Sequence, residues 1–373
     1  MFKHKWRIAR IFGININIDP SWLIIFFLFT WSLGGQFFPT RYPAWPRSLA
    51  WMMGLLTSLL VFASVLVHEL SHSLVARQQG EKVGDITLFL LGGVAQINDE
   101  PKKPLREFGM AIVGPLSSFV LAGLFFLVSV FLHPASQPLS AAALTLAVIN
   151  TGLGVFNLLP GFPMDGGRVL RSILWQATGD MRKATRIASA VGQGVAFLLM
   201  ALGFLQVLRG VFSGLWLVFI GWFLQSAAAH GYEQVVVRSV LQGVKARDLM
   251  STSFGTVPAS LTIQALVDDF ILERKERMFM VMEGDDLRGI VCLEDVKATP
   301  RKDWPRARVR DIMTPKERLE AVSPETDGRV VLSSLAAKDV NQVPVMEYDG
   351  SLVGIICRTD ILRYIKLKTE LGL

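Results

Sequence analysis

Long apolar runs, separated by short polar segments, fill the first 235 residues of the chain and predict a bundle of membrane-spanning α-helices. A helix needs about 20 consecutive, mostly apolar residues to cross a bilayer. Six stretches approach that length, at residues 20–38, 50–76, 108–132, 139–159, 184–208 and 211–230. From about residue 238 charged and apolar residues are mixed, and no run reaches spanning length. We therefore expect a transmembrane domain over residues 1–237 and a tail domain over residues 238–373.

Two shorter segments alternate with a period of two, which is typical of β-strands. Isoleucine alternates with asparagine and aspartate over residues 14–19. Residues 83–97 carry β-branched and aromatic residues on both sides of Gly92-Gly93, which is a turn signal. We predict a β-hairpin at 83–97 and a further strand at 14–19 in one small membrane-associated sheet. The alternative is an irregular linker at the membrane interface.

The tail contains an internal repeat. The segment "VKARDLM" (244–250) returns as "RVRDIM" (308–313), and "LRGIVCLEDV" (287–296) returns as "LVGIICRTDI" (352–361). Such self-similarity indicates two copies of one α/β unit of about sixty residues. We place the copies at about residues 244–299 and 307–366.

Composition and charge agree with a membrane protein. Hydrophobic residues make up 51% of the chain, charged residues 18%, and the mean hydropathy is +0.42. The net charge of +7 shows no basic stripe interleaved with aromatic residues, so we expect no nucleic-acid partner. Both cysteines, Cys292 and Cys357, lie in the tail, which excludes a disulfide framework in the membrane part.

Lysine and arginine between the spans predict the orientation, because they accumulate on the cytoplasmic side. Connecting segments on the side of the N-terminus hold fourteen of them when Arg186, at the start of the fifth span, is included. Those on the other side hold only Arg41, Arg47 and Arg209. We expect a multi-pass protein of the cell membrane. With six spans, its N-terminus and tail both lie in the cytoplasm.

The second span contains His68-Glu69-Leu70-Ser71-His72. Histidines four residues apart share one helix face, close enough to bind one metal ion, and the spacing is that of a zinc hydrolase. Glu69 points about 100° away from His68, beside the metal, where a general base is needed. Ionisable residues are costly in hydrocarbon and are by default functional there. The alternative is that the histidines only bond a neighbouring helix.

A catalytic zinc site needs a third protein ligand at the same depth. His72 lies on the order of 8 Å inside the cytoplasmic edge of its span, and the fourth span ends at that edge with Asp165. Pro160 and Pro163 break the helix there, and Gly166-Gly167 permit backbone turns. We expect Asp165 to be the third ligand; the alternative is an N-cap of the next helix.

Taken together, "HELSH" on an early span and "NLLPGFPMDGG" (157–167) at the end of a later one resemble the site-2 protease family of intramembrane zinc metalloproteases. The segment "GPLSS" (114–118) is similar to a third family element. The resemblance covers about residues 10–235. The chain departs from the family at Ser118, where asparagine is common, and at Met164, where leucine is usual; neither is an expected ligand.

The resemblance implies that His68, His72 and Asp165 bind one zinc ion and that Glu69 acts as general base, which agrees with the reading from spacing and depth. It also implies that Asn157 holds the substrate backbone or the oxyanion. A hydrogen bond between spans is the alternative for Asn157. The hairpin at 83–97 could receive an extended substrate segment as an added strand.

The tail resembles a tandem CBS domain pair, because each repeat ends in an apolar strand, Cys, two residues and Asp. In many proteins this module binds adenine nucleotides and regulates the attached part. The resemblance implies that Asp295 and Asp360 contact the ribose. Cysteine replaces the usual Thr or Ser in both repeats, which weakens this expectation because a thiol is a poor donor. The alternatives are helix capping by both carboxylates and a purely structural or dimerising pair.

We therefore expect a polytopic α-helical membrane protein of about six transmembrane helices with a small β-sheet and a cytoplasmic α/β CBS pair. The expected function is a zinc metalloendopeptidase that cleaves transmembrane protein substrates near the cytoplasmic face, with the tail as regulator or homodimerisation module. The alternatives are a CBS-regulated transporter or channel and an inactive metal-binding relative. Paired charges at the membrane midplane, which a transporter would need, are absent from the sequence.

Overall fold

The computed structural model describes residues 5–81, 83–90, 92–97, 103–241, 243–252, 254–274, 276–284, 286–319, 321–337, 340–349 and 351–371. The chain forms two compact units, Met1–Val235 and Val236–Leu373. Each unit has its own core, and each is described separately below.

Unit one consists of a four-stranded sheet and a set of long helices. The strands are β1 (Trp6–Ile11), β2 (Ile14–Ile18), β3 (Val83–Phe89) and β4 (Gly92–Ile97). The helices are α1 (Ser21–Arg41, with a π-helical stretch at Ser32–Phe37), α2 (Arg47–Gln78), α3 (Pro104–Leu132), α4 (Gln137–Asn157), α5 (Asp165–Thr178), α6 (Met181–Leu208) and α7 (Gly214–Val240). The last five residues of α7, 236–240, belong to unit two.

Within the described residues, five helices are long and apolar enough to cross a membrane: α1, α2, α3, α4 and α6. A shorter apolar stretch, Gly214–Ala229, covers the sixth predicted span. The multi-pass architecture is thus confirmed, whereas the count of six stays a prediction.

Helix α2 shows why these sequences suit a bilayer. Its buried face carries small and polar side chains, among them Thr57, Ser58 and Ser64, whereas Leu55 and Leu59 are exposed. Small and polar residues let membrane helices approach closely, and large apolar residues face lipid. The histidines of the second span therefore lie on the face that packs against protein.

The predicted sheet is present, in the order β1-β2-β3-β4. Strands β3 and β4 form the expected hairpin, and β2 pairs with β3 in parallel. Strand β1 was not predicted; it reverses into β2 through Phe12 and Gly13, which both have positive φ. Ile14, Ile16 and Ile86 pack with Leu70 of α2, so the sheet lies against the helix that carries the histidines.

Side-chain hydrogen bonds reinforce the parallel pairing of β2 with β3. The Asp85 carboxylate accepts from Asn15 Nδ2 at 3.0 Å and from Asn17 Nδ2 at 2.9 Å. These donors hold the pKa of Asp85 below its usual value. The polar positions of the period-two pattern therefore hold the sheet together.

Unit two has two sheets with helices between and after their strands. The strands are β5 (Thr256–Pro258), β6 (Met278–Glu283), β7 (Asp286–Cys292), β8 (Thr314–Pro315), β9 (Gln342–Met346) and β10 (Leu352–Cys357). The helices are α8 (Ala246–Leu249), α9 (Ile263–Ala265, continued by a π-helical stretch at Leu266–Leu272), α10 (Leu293–Ala298), α11 (Val309–Ile312), α12 (Gly328–Ala337) and α13 (Arg358–Glu370).

The two sequence repeats exchange their first segments. Strand β8 of the second repeat pairs with β7 of the first, and Ser251 of the first repeat bridges to Ile355 of the second. The cores follow the same rule, since Leu249 packs among second-repeat residues and Val309 packs among first-repeat residues. Each core therefore needs both repeats.

Candidate metal centre and tail cavity

The structure brings His68, His72 and Asp165 together. The histidines are buried on one face of α2, with their Nε2 atoms 3.2 Å apart. Asp165 Oδ2 lies 3.0 Å from Nε2 of His68 and 3.1 Å from Nε2 of His72. Asp165 is the first residue of α5, whose N-cap position is Met164, so the carboxylate faces the histidines instead of capping the helix.

A broken helix carries Asp165 to this place. Residues 158–164 connect α4 to α5, and a Cβ on Gly166 would lie 2.3 Å from the carbonyl oxygens of Leu158 and Leu159. A Cβ on Gly192 of α6 would lie 2.1 Å from Phe162 O. Residues 158–164 thus pack so closely that Gly166 and Gly192 leave no room for a side chain. The turn that was expected at Gly166-Gly167 is absent, because both residues are helical.

Hydrogen bonds from α3 orient both imidazoles. His72 Nδ1 donates to the carbonyl of Met110 at 2.6 Å, and His68 Nδ1 lies 2.9 Å from Ser118 Oγ. Because a carbonyl only accepts, Nδ1 of His72 carries a proton, and its Nε2 presents a lone pair in the neutral ring. Ser118, where the sequence departs from the family pattern, supplies the polar contact at its position.

Helix α3 also leaves space for the imidazole rings. A Cβ on Gly114 would lie 2.1 Å from His72 Nε2 and 2.7 Å from His68 Nε2. Only a glycine allows the α3 backbone this close to both rings.

The three donors fit a zinc ion. Two imidazoles and a carboxylate are among the ligands that Zn²⁺ prefers, and tetrahedral bonds of about 2.0–2.1 Å separate neighbouring ligand atoms by roughly 3.4 Å. The observed separations of 3.0, 3.1 and 3.2 Å are close to this value. The two Nε2 atoms and the Asp165 carboxylate oxygen also face one another in a buried place, where a cation or protons must lie between them. Among the described residues, this group is the only cluster of three such side chains.

Glu69 lies beside the cluster and against the edge strand of the sheet. Its side chain is half-buried, and a Cβ on Gly93 of β4 would lie 2.5 Å from Glu69 Cγ and 3.3 Å from Oε1. Strand β4 is the last strand in the order of the described sheet, so an edge strand lies next to the carboxylate that is expected to act as base.

Asn157 is the last residue of α4 and is half-buried. In the described part of the chain its side chain makes no hydrogen bond, so neither an interhelical bond nor a hydrogen bond to the donor cluster is seen. Its role stays a prediction.

A buried ion pair between α3 and α5 did not emerge from the sequence. Glu107 is fully buried, and its Oε1 accepts from Arg171 Nε at 2.7 Å and from Arg171 Nη2. The sequence signal is an acidic residue, Glu107, directly before the predicted third span in "PLREFGMAIVGP".

In the tail, Asp295 and Asp360 bind the backbone. Their carboxylates accept from the N–H of Cys292 at 2.8 Å and of Cys357 at 3.1 Å, at the starts of α10 and α13. This is the helix-capping arrangement left open by the sequence. Asp295 also lines a cavity of about 410 Å³, whereas Asp360 is not part of its lining.

The cavity combines apolar and polar side chains from both repeats. Its lining includes Cys292, Arg318, Asn341 and Gln342, and Gln342 Nε2 donates to Cys292 Sγ. Burial and the neighbouring Asp295 carboxylate raise the pKa of the Cys292 thiol to about 12, so the thiol is neutral at physiological pH. A cavity of this size suits a small molecule with polar and apolar parts.

Comparison with known proteins gives matches over nearly the whole chain. The model of Peptidase family M50 matches residues 56–142 and 133–202, and the CBS domain model matches residues 309–367. A Synechocystis sp. protein with the provisional name zinc metalloprotease sll0528 is 36% identical over 360 residues, which cover 96% of this chain and 94% of that protein. The provisionally named zinc metalloprotease Rip3 of Mycobacterium tuberculosis is 32% identical over 362 residues, covering 96% and 92%.

One solved structure is also among the matches. The site-2 protease from Methanocaldococcus jannaschii has 30% sequence identity and a TM-score of 0.43, covering 61% of this chain and 94% of that one.

Apolar spanning helices, a His-Glu-x-x-His segment and relatives named as zinc metalloproteases together define a membrane zinc metalloprotease. The chain belongs to peptidase family M50, the site-2 proteases, and carries a CBS domain.

Proposed function

We propose that the protein is an intramembrane endopeptidase that cleaves transmembrane segments of other membrane proteins near the cytoplasmic face. In this proposal His68, His72 and Asp165 hold the zinc ion and Glu69 is the general base. The observation that carries it is the convergence of three donor atoms within 3.2 Å on the protein-facing side of α2, with Glu69 alongside.

The residues divide the chemistry between them. Zinc, when bound, supplies a Lewis acid that polarises a peptide carbonyl and lowers the pKa of water. Glu69 takes a proton from the attacking water as the bond from oxygen to the carbonyl carbon forms, and gives it to the amide nitrogen as the C–N bond breaks. Met110 and Ser118 hold the imidazoles so that both Nε2 atoms face the ion. Asn157 is proposed to hold the substrate backbone or oxyanion.

A substrate helix hides its peptide bonds in its own hydrogen bonds, so it must unwind before cleavage. Strand β4 is at the edge of the sheet and passes Glu69, so an extended segment added to this edge would place its backbone beside the base. Thr87 and Val94 form a hydrogen-bonded pair of the hairpin, so the N–H of the next residue, Ala95, faces away from β3. Ala95→Pro would remove this edge N–H. We expect reduced cleavage at normal zinc content, and unchanged cleavage would exclude strand addition.

Orientation in the membrane rests on the charge distribution. With the N-terminus and tail in the cytoplasm, the cytoplasmic end of α2 is the one that carries the donor cluster, ten residues or fewer from Gln78. Accessibility of single cysteines placed near Arg41 and Arg209 to a membrane-impermeant reagent tests this. Labelling from the cytoplasmic side would contradict it.

The tail is proposed to regulate the protease, with an adenine nucleotide in the cavity that Asp295 lines. Its mixed lining, including the guanidinium of Arg318, supports this ligand class. Ala321→Trp would fill part of the cavity, so AMP or ATP binding measured by calorimetry should weaken at least tenfold. Equal, undetectable heat for wild type and variant would exclude both nucleotides. Dimerisation through the tail is a separate proposal, which mass measurement in detergent tests.

The central experiment compares purified wild type with Glu69→Gln on a panel of single-span membrane proteins, with zinc analysis of both. Equal zinc and loss of cleavage by about 100-fold or more is the expected result. Equal cleavage by the two proteins would refute the role of Glu69. Absence of cleavage by zinc-loaded wild type on every substrate would favour an inactive relative.

A further inference from the structure

The buried ion pair between Glu107 of α3 and Arg171 of α5 is costly to bury. Glu107 Oε1 accepts both bonds from Arg171, while Glu107 Oε2 is buried and has no hydrogen-bond partner among the described residues. Arg168 Nε lies 3.9 Å from the same Oε1. Burying charges costs several kcal/mol per ion, and a well-packed apolar pair is often as stable or more stable. Stability alone is therefore a poor explanation for this pair.

The position of Arg171 suggests another role. It lies on α5, six residues after Asp165, and its guanidinium carbon is 5.0 Å from the ring centre of Phe162, in the segment before Asp165. One side chain thus contacts the segment before the third ligand and joins the helix after it to α3.

The partner helix is also the scaffold of the histidines. Glu107, Met110, Gly114 and Ser118 fall within an arc of about 80° on one face of α3, over roughly 16 Å. Met110 and Ser118 bind the imidazoles, Gly114 gives them room, and Glu107 binds the helix of Asp165. A single helix face therefore sets the positions of all three donors relative to one another.

We propose that Glu107 and Arg171 are positioning residues for the metal ligand Asp165, acting by fixing α5 to this face of α3. The inference rests on the proposed zinc site. The paired charges fix one register, because the planar guanidinium of Arg171 donates from both Nε and Nη2 to one oxygen of a fully buried carboxylate. A shift of α5 would move Asp165 Oδ2 out of reach of an ion held by His68 and His72, since metal–ligand distances tolerate only about 0.2 Å.

The main test replaces both charges, in Glu107→Leu with Arg171→Met, in the full-length protein. The apolar pair avoids a lone buried charge, so the metal-free variant should melt within a few degrees of wild type. Affinity for Co²⁺ and Zn²⁺, measured by competition with a chromophoric chelator, should fall about 10- to 100-fold, as for other groups that orient ligands. The visible spectrum of the Co²⁺ form should change. Wild-type affinity and spectrum would overturn the proposal.

If the double variant does not fold, Arg171→Lys keeps the charge and loses the planar fork, and the same readouts apply. Ser140→Ala is the matched control, because Ser140 Oγ makes a buried bond to Ser129 O at the opposite end of α3. This control should leave metal affinity unchanged.

A mutant cycle with Asp165→Ala separates the proposed ligand role of Asp165 from the proposed positioning role of Glu107 and Arg171. If Asp165→Ala binds metal like wild type, the ligand assignment itself is wrong. If Asp165→Ala loses affinity, adding the double substitution should change it by no more than about twofold, because the positioned ligand is already gone. A further tenfold loss would show that the pair acts elsewhere and would overturn the positioning role.

Discussion

Replacement of Gly114 by alanine tests whether α3 is fitted to the metal site. The added Cβ would lie 2.1 Å from His72 Nε2, whereas ordinary contact begins at 3.4 Å, so the ring must retreat by about 1.3 Å. The nearby His68 Nε2, at 2.7 Å, restricts the retreat. Metal–ligand distances tolerate only about 0.2 Å. We expect zinc affinity to fall by at least about 100-fold and cleavage to fall with it.

Gly123→Ala is the matched control on the same helix, because among the described residues only the surrounding backbone of α3 lies within 4 Å of its added Cβ. Intrinsic helix propensity favours alanine over glycine by about 1 kcal/mol at both positions. The Gly123 variant should therefore bind zinc normally and melt at the same temperature or higher. Zinc content by mass spectrometry and affinity by chelator competition measure the difference. A Gly114→Ala protein with wild-type affinity would refute the packing argument.

Four further predictions follow from the same contacts. Gly93→Ala should lower cleavage by about 100-fold, because the added Cβ would displace Glu69. Its zinc content should stay at the wild-type level. An equal loss of cleavage in Val94→Ala would contradict this explanation. Asp85→Asn should lower the melting temperature at neutral pH. The pKa of Asp85 is lower in the folded than in the unfolded state, so its carboxylate stabilises the fold above the unfolded pKa of about 3.9 and loses this effect as the pH falls through the folded pKa. The difference in melting temperature between Asp85→Asn and wild type should therefore shrink in acid. A difference that does not depend on pH would count against this role of Asp85. Residues 244–299 alone should show no cooperative unfolding by circular dichroism, since their core requires Val309, whereas residues 236–373 should unfold cooperatively; a folded single repeat would disprove the exchange. Removal of metal by a chelator should lower the melting temperature of wild type, because metal that binds only the folded state stabilises it by about 4 kcal/mol at a free metal concentration of 1,000 times Kd. The same treatment should hardly change the melting temperature of Asp165→Ala. Equal shifts in the two proteins would exclude Asp165 as a ligand.

The donor cluster could be predicted because its constraints are local or topological. A spacing of four on a helix places His68 and His72 on one face whatever the rest of the chain does. A third donor was expected from a span that ends at the same depth, and the structure brings Asp165 to the two histidines. The supporting contacts could not be predicted in this way, because Glu107 and Arg171 are 64 residues apart in sequence and only the packing of α3 on α5 joins them.

Strand β1 was not predicted because a register shift interrupts its alternation of inward and outward residues. Its pairing with β2 shifts register between Arg7 and Ala9, so inward and outward positions change parity within six residues. A search for strict alternation fails on such a strand. The tail repeats show a different limit: self-similarity reveals two copies, but it does not say that Leu249 packs with the second copy and Val309 with the first.

Charge balance connects the metal centre with the ion pair behind it. A divalent zinc ion with ionised Asp165 and Glu69 sums to zero formal charge, and so does Glu107 with Arg171. In a medium of low dielectric constant an unbalanced charge is far more costly than in water. The hydrogen bonds to the imidazoles add no charge, since Met110 offers a carbonyl and Ser118 a hydroxyl. The charges at the metal centre and in the Glu107–Arg171 pair can therefore lie inside a membrane domain because each set is neutral, whereas Arg168, 3.9 Å from Glu107, is partly exposed. Removing Glu107 alone would leave the buried Arg171 guanidinium as a net charge.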